Sequence, residues 1–134
     1  MPLVRIDIIQ GRPEDEITGI GHAVHRALVE CMNTPERDRF QVITEHAPNR
    51  LVYNPDYLDG ARSDGIVVVQ VFLSKGRTTE QKKAFYARVA ELLASEAGVQ
   101  PGDATVMLVE NTREDWSFGD GVAQYLTLPQ ERWK

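Results

Sequence analysis

The chain has 134 residues, 42% of them hydrophobic and 26% charged, with a formal net charge of −5. That length supports one core without disulfides or metal, and without a long polar tract the composition is that of a soluble globular domain. A membrane span (no apolar run nears ~18 residues), a secretory leader and a general nucleic-acid surface, which needs concentrated Lys and Arg, are all excluded as expectations.

In chain order, Pro2 stands directly ahead of the strand-like run Leu3–Ile9. If Met1 is removed, the proline nitrogen becomes a secondary amine at the chain start. An unperturbed α-amino group titrates near ~7.7–8.0, so modest burial or one nearby cation makes it a general base close to neutral pH. With Met1 attached, the same nitrogen is a tertiary amide with no basicity. Proline is also an ordinary first residue of an edge strand, so position alone leaves both readings open.

A helix is expected from about Pro13 to Met32, with proline in its first turn, acids Glu14, Asp15 and Glu16 at the positive end of the dipole, and Asn33 near its stop. Ile17, Ile20, Val24, Leu28 and Cys31 form its apolar stripe. Cys31 is the sole cysteine; it cannot close an intrachain disulfide, fits a reducing cytoplasm, and reads as a buried small hydrophobe. His22 and His25 lack a third ligand at matching spacing and read as surface residues, so no metal is expected. His46 shows no recognisable partner.

A strand over Phe40–Glu45 follows, then a linker, 46–66, in which Pro48, Pro55, Gly60 and Gly65 surround Leu51-Val52-Tyr53; a small hairpin or edge strand is expected there. Ile66–Leu73 is nearly continuous apolar, as a central strand would be. Thr78 and Gln81 have capping-box spacing ahead of a helix with Phe85, Val89, Leu92, Leu93 and Ala97 on one face, stopped by Gly98. After a strand at Thr105–Glu110, the C-terminal segment, 111–134, reads as a turn followed by a short strand.

Sliding the chain by 65 residues superposes Gly11-Arg12 on Gly76-Arg77, Val24 on Val89, Leu28 on Leu93, Asp38 on Asp103 and Glu45 on Glu110. Each half, about 2–45 and 67–110, therefore reads strand, helix, strand. The expected fold is α+β: duplicated β-α-β units forming one four-stranded mixed sheet, two helices on one face, plus short edge strands or a hairpin. The other face stays apolar and calls for self-association. Val67 is the counterpart of Pro2 and is an interior peptide, so a single amine site per chain is expected. Neither Gly-Arg pair has the glycine spacing of a phosphate loop, and no cofactor is expected.

Pro2 opening a β-α-β unit, the duplication, Asp38-Arg39-Phe40-Gln41, Ser74-Lys75-Gly76-Arg77, and Val109-Glu110-Asn111 followed by Trp116-Ser117-Phe118-Gly119 together resemble the tautomerase superfamily. The likeness is to its fused-repeat branch, which contains malonate semialdehyde decarboxylase. It implies a homotrimer and an isomerase or carbon–carbon lyase with the amino-terminal proline as catalytic group. It also implies that Asp38 works with Pro2, and that Lys75 and Arg77 hold the carboxylate of a small oxo acid. The decarboxylase has arginine at both basic positions with proline between them, whereas this chain has Lys75-Gly76-Arg77. A lysine keeps the charge but loses the planar fork; loose fixing harms decarboxylation, which must align the breaking C–C bond, more than proton transfer.

Keto–enol tautomerisation is therefore the first reading, with Pro2, Asp38 and Arg77 catalytic, Lys75 and Arg77 substrate-binding, and Trp116 and Phe118 as pocket walls. Decarboxylation or hydration is the alternative within the class. A noncatalytic trimeric ligand-binding protein is the alternative outside it. Asp38, with its repeat mate Asp103, also admits a turn-stabilising role, and Trp116 and Phe118 admit plain packing.

Overall fold

The computed structural model describes residues 2–134. Its strands are β1 (Pro2–Ile9), β2 (Phe40–His46), β3 (Val67–Ser74) and β4 (Ala104–Asn111), and its helices α1 (Glu14–Cys31), α2 (Thr79–Ala97) and the single-turn α3 (Gln124–Thr127). The strands form one mixed sheet in the order β2-β1-β3-β4. Within each half the strands are parallel, and the halves meet through the antiparallel pair β1–β3. This is the expected duplicated β-α-β sheet.

Strand alternation settles which face is covered. Val4, Ile6 and Ile8 of β1 and Val67, Val69, Val71 and Leu73 of β3 are buried with Ile20, Val24 and Leu28 of α1 and Phe85, Val89 and Leu93 of α2. Phe85 is fully buried, so truncating it to alanine removes about 3–5 kcal/mol. The helices lie antiparallel, with Arg26 on Glu96 and Arg88 on Glu30 across the seam. The capping box of Thr78 and Gln81 forms, and Gly98 ends α2 in the left-handed conformation. Gly11 and Gly76, repeat equivalents, share nearly the same positive φ, 122° and 128°, where a side chain would be strained.

The opposite face carries Leu3, Arg5 and Asp7 of β1 in register with Phe40, Val42 and Thr44 of β2, and Phe72 and Gln70 of β3 beside Val109 and Met107 of β4. Phe40 is 48% exposed and Met107 51%. His46, for which the sequence shows no partner, is paired here with Asp7 at 2.6 Å.

Four expectations are corrected. The linker has no strand: Pro48 and Pro55 lack ladder donors, the Asn54 side chain takes the Asp56 N–H, Arg62 holds the Asn54 and Tyr57 carbonyls, and a 3-10 turn forms at Tyr57–Asp59. The tail strand is instead α3, because one helical turn lets Tyr125 pack edge-on to both Phe118 and Trp133. Cys31 is half-buried, and Met32 takes the buried place at the end of the helix stripe. His25 lies buried instead of at the surface, 9% exposed.

Candidate active site

The topology brings the sequence-selected residues to one end of the sheet. β1 and β2 start side by side, with Leu3 opposite Phe40, so Asp38 lies just upstream of the row that Pro2 begins. The antiparallel β3 ends there too, with Pro2 opposite Leu73 and the turn Ser74-Lys75-Gly76-Arg77 immediately following. β4 ends beside Ser74 at Asn111, and the Lys75 N–H donates to the Asn111 carbonyl at 2.9 Å.

A cavity of about 430 Å³ opens at this end, lined by Asp38, Lys75, Arg77, Arg113, Tyr125 and Trp133 among others. Pro2 is buried at its strand position. Removal of Met1 concerns a residue outside those described. The Arg77 guanidinium is anchored: Nε donates to the Met32 carbonyl at 3.0 Å and Nη1 to the Ser74 carbonyl at 2.9 Å. The end of α1 and the end of β3 thus hold one cation rigidly, as recognition of a planar anion requires. Burial lowers its pKa, while Tyr125, Asp38 and Glu110 hold it up, and it remains charged.

Burial pushes the Asp38 carboxyl up from the ordinary carboxylate range, with Arg77 opposing the shift. Tyr125, which the sequence reading placed on a strand with no role, has its hydroxyl pushed up to about 12 by burial and the nearby Asp38 charge, against Arg77 and Arg113. It is therefore a proton-bearing hydrogen-bond group at neutral pH. No spacing signal marks Tyr125 or Trp133; they reach the cavity because the tail folds back across it. The Arg113 guanidinium stacks on Trp133, 4.6 Å from the ring centre.

Trp116 and Phe118 stand elsewhere. They stack on one another at 5.5 Å and line a separate cavity of about 520 Å³ on the exposed sheet face, with Leu3, Phe40 and Phe72. The Trp116 indole donates to Asn111 Oδ1 at 2.7 Å. Their link to the first cavity is the edge-on contact of Phe118 with Tyr125, at 5.2 Å.

The repeat equivalents Asp103, Arg12 and Val67 lie at the opposite end of the sheet. There the linker runs between the charges: Ser63 donates from its N–H and its hydroxyl to the two Asp103 oxygens, both at 2.6 Å, and Arg12 donates to the Gly65 carbonyl. A Cβ added to Gly65 would stand 3.0 Å from Asp103 Oδ2 and 3.5 Å from Arg12 Nη2. Among the described residues no cluster of His, Cys, Asp and Glu suits a metal ion.

A family model described as a tautomerase enzyme matches residues 38–119, and another of the same description matches residues 2–59. The chain is 40% identical over 126 residues to probable tautomerase YusQ of Bacillus subtilis (strain 168), covering 94% of this chain and 99% of that one. Among solved structures it resembles FG41 malonate semialdehyde decarboxylase inhibited by 3-bromopropiolate, with a TM-score of 0.88 and 42% identity over 93% of this chain and 95% of that one. It shares the fold of a fused 4-OT symmetric trimer, with a TM-score of 0.76 at 22% identity over 93% and 98% of the two chains. A duplicated β-α-β sheet that gathers Pro2, Asp38 and Arg77 at one end agrees with these matches, and the chain belongs to the tautomerase family.

Proposed function

We propose that the processed chain, beginning at Pro2, is a cofactor-independent tautomerase acting on small 2- or 3-oxo acids. The observation that carries this reading is the shared sheet end: the segment before β2 and the turn after β3 line one cavity with an anchored cation, and β1 starts with Pro2 at that same end.

In the proposed reaction Arg77, helped by Lys75, binds the substrate carboxylate, and its charge depresses the pKa of the Pro2 amine. The neutral amine takes the enol O–H proton. As the oxygen becomes a carbonyl, the C=C electron pair accepts that proton from the ammonium at the neighbouring carbon, so one hydrogen moves from oxygen to carbon with no redox change. The cation stabilises the enolate charge between the two transfers. Asp38 orients the substrate hydroxyl or the protonated amine. Phe118, edge-on to Tyr125, backs the aromatic side of the cavity.

The likeness to the FG41 decarboxylase supports a second reading, in which a protonated Pro2 polarises the ketone of a 3-oxo acid for decarboxylation or hydration. We further propose that three copies cover the exposed sheet face in a cytoplasmic homotrimer; the half-exposed Phe40 and Met107 and the trimeric fused 4-OT of the same fold support this.

The test uses protein whose loss of Met1 has been verified by intact mass. It is offered the enol form of phenylpyruvate and, separately, a 3-oxo acid; consumption of the enol supports tautomerisation, and consumption of the 3-oxo acid alone supports the second reading. Pro2→Ala should be inert in both assays. Full activity of that variant removes the requirement for the secondary amine of proline.

A further inference from the structure

His25 does work that its place on α1 does not announce. It is 9% exposed, and its Nε2 lies 2.8 Å from the backbone carbonyl of Glu36, two residues before Asp38. A carbonyl only accepts, so Nε2 carries the proton and donates. Burial lowers the pKa of the ring, as do Arg39 and His22, against the Glu36 carbonyl and side chain. Both the neutral ring protonated at Nε2 and the imidazolium keep this donor, so the tie persists across the titration.

The backbone bonds of the segment between α1 and β2, among the described residues, are otherwise local. Thr34 N–H reaches the Leu28 carbonyl at 3.4 Å, and the Asp38 N–H bonds to Pro35 within the segment itself. Arg39 contacts His22 and Gln41 through side chains alone. Among the described residues, His25 is the side chain of α1 that grips the backbone of this segment next to Asp38.

The other half shows what replaces it. The counterpart of His25 is Ala90 and that of Glu36 is Pro101, so no such bond can form. There the linker does the holding, through Ser63 on Asp103 and Gln100 Nε2 on the Ala61 carbonyl. Gly102 permits this approach, because a Cβ there would stand 2.3 Å from the Ala61 oxygen; its counterpart is the exposed Arg37. A segment that must leave a cavity in front of its aspartate can be held only from behind.

We propose that His25 is a positioning residue for Asp38, holding the Asn33–Arg39 segment through the Glu36 carbonyl so that the carboxyl keeps its place in the cavity. The proposal rests on the reading of Asp38 as a catalytic group. Glutamine places an amide N–H near the position of Nε2, whereas asparagine places one near Nδ1, too short to reach.

The experiment measures ketonisation of the enol form of phenylpyruvate by processed protein. His25→Asn is expected to lower kcat by about tenfold with KM changed less than about twofold, since a small misplacement of a reacting group falls on kcat. His25→Gln should return kcat to within about twofold of the parent. In an Asp38→Ala background His25→Asn should cost almost nothing further, because two residues acting as one unit are not additive. The inference is overturned if Gln is as poor as Asn, or if His25→Asn costs the same factor in both backgrounds. Full activity of Asp38→Ala alone overturns the role of Asp38 and this inference with it, which separates the two failures.

Discussion

Two repeat-equivalent charged pairs, Asp38 with Arg77 and Asp103 with Arg12, each drawing one residue from each half, lie at opposite ends of one sheet. What differs is the chain in front of each pair. Ahead of Val67 the linker must arrive from β2, and it lies between Asp103 and Arg12, spending the charges on Ser63 and Gly65. Asp38 and Arg77 instead line a cavity. The lesson is that a carboxylate and a guanidinium are a fastener or a site according to whether the fold feeds its own backbone between them. In the proposed enzyme, processing at Met1 keeps one pair available while fusion closes the other.

The largest effect that could break this comparison is expected at Pro2. Pro2→Ala should lower kcat/KM for the phenylpyruvate enol by about 10²–10⁴, the usual worth of a general acid–base group, with little change in Tm; Val67→Ala, its counterpart, should lower Tm and spare kcat. The arginines should show the same crossing. Arg77→Ala is expected to cut kcat/KM about 100-fold through loss of the charge-assisted contact to the carboxylate. Arg12→Ala should leave kcat unchanged and cost about 1–3 kcal/mol in urea denaturation, because its half-buried partner carbonyl loses its donor.

The aspartates differ in the sign of their stability effect. The folded pKa of Asp38 is raised, so the folded chain retains a proton that the unfolded chain releases near pH ~3.9. Its contribution to stability therefore declines as pH rises from there through the raised value and stays lower above it. Asp38→Asn should remove that decline, giving a more stable but poorly active protein at pH 7, measurable by denaturation at a series of pH values. Asp103 is 2% exposed and accepts two short bonds, so Asp103→Asn should instead cost about 1–3 kcal/mol at pH 7 through the broken hydrogen bonds. The smallest expected effect is Ser63→Ala, about 1 kcal/mol from one lost side-chain hydrogen bond, with kcat intact. A substantial kcat loss in that variant would mean that the two ends of the sheet are coupled.

Much of this arrangement is legible in the residues. The helix boundaries agree within a residue or two, since Pro13, Thr78 with Gln81, and Gly98 act on their nearest neighbours, and the 65-residue repeat with its apolar alternation is enough to specify the sheet. The buried His25 was not legible. A histidine on an amphipathic helix has the same spacing whether it meets solvent or a loop returning to the next strand, and only the path of 33–39 decides. Tyr125 and Trp133 were missed because their partners, Phe118 and Arg113, come from a tail with no periodic pattern. The same tail holds Trp116 and Phe118 over a different cavity from Asp38 and Arg77, a separation that no count along the chain contains.

By itself, then, the sequence determined the repeating unit, the covered face of each element and the repeat equivalence of Asp38 with Asp103 and of Arg77 with Arg12, because these depend on interactions a few residues apart or on a period. Tertiary structure alone decided which pair faces a cavity and which is threaded by the linker, and what holds each in place. Those outcomes turn on where a long irregular segment runs in space, and its course is set by distant partners such as Asp103 and Gly102 rather than by its own composition.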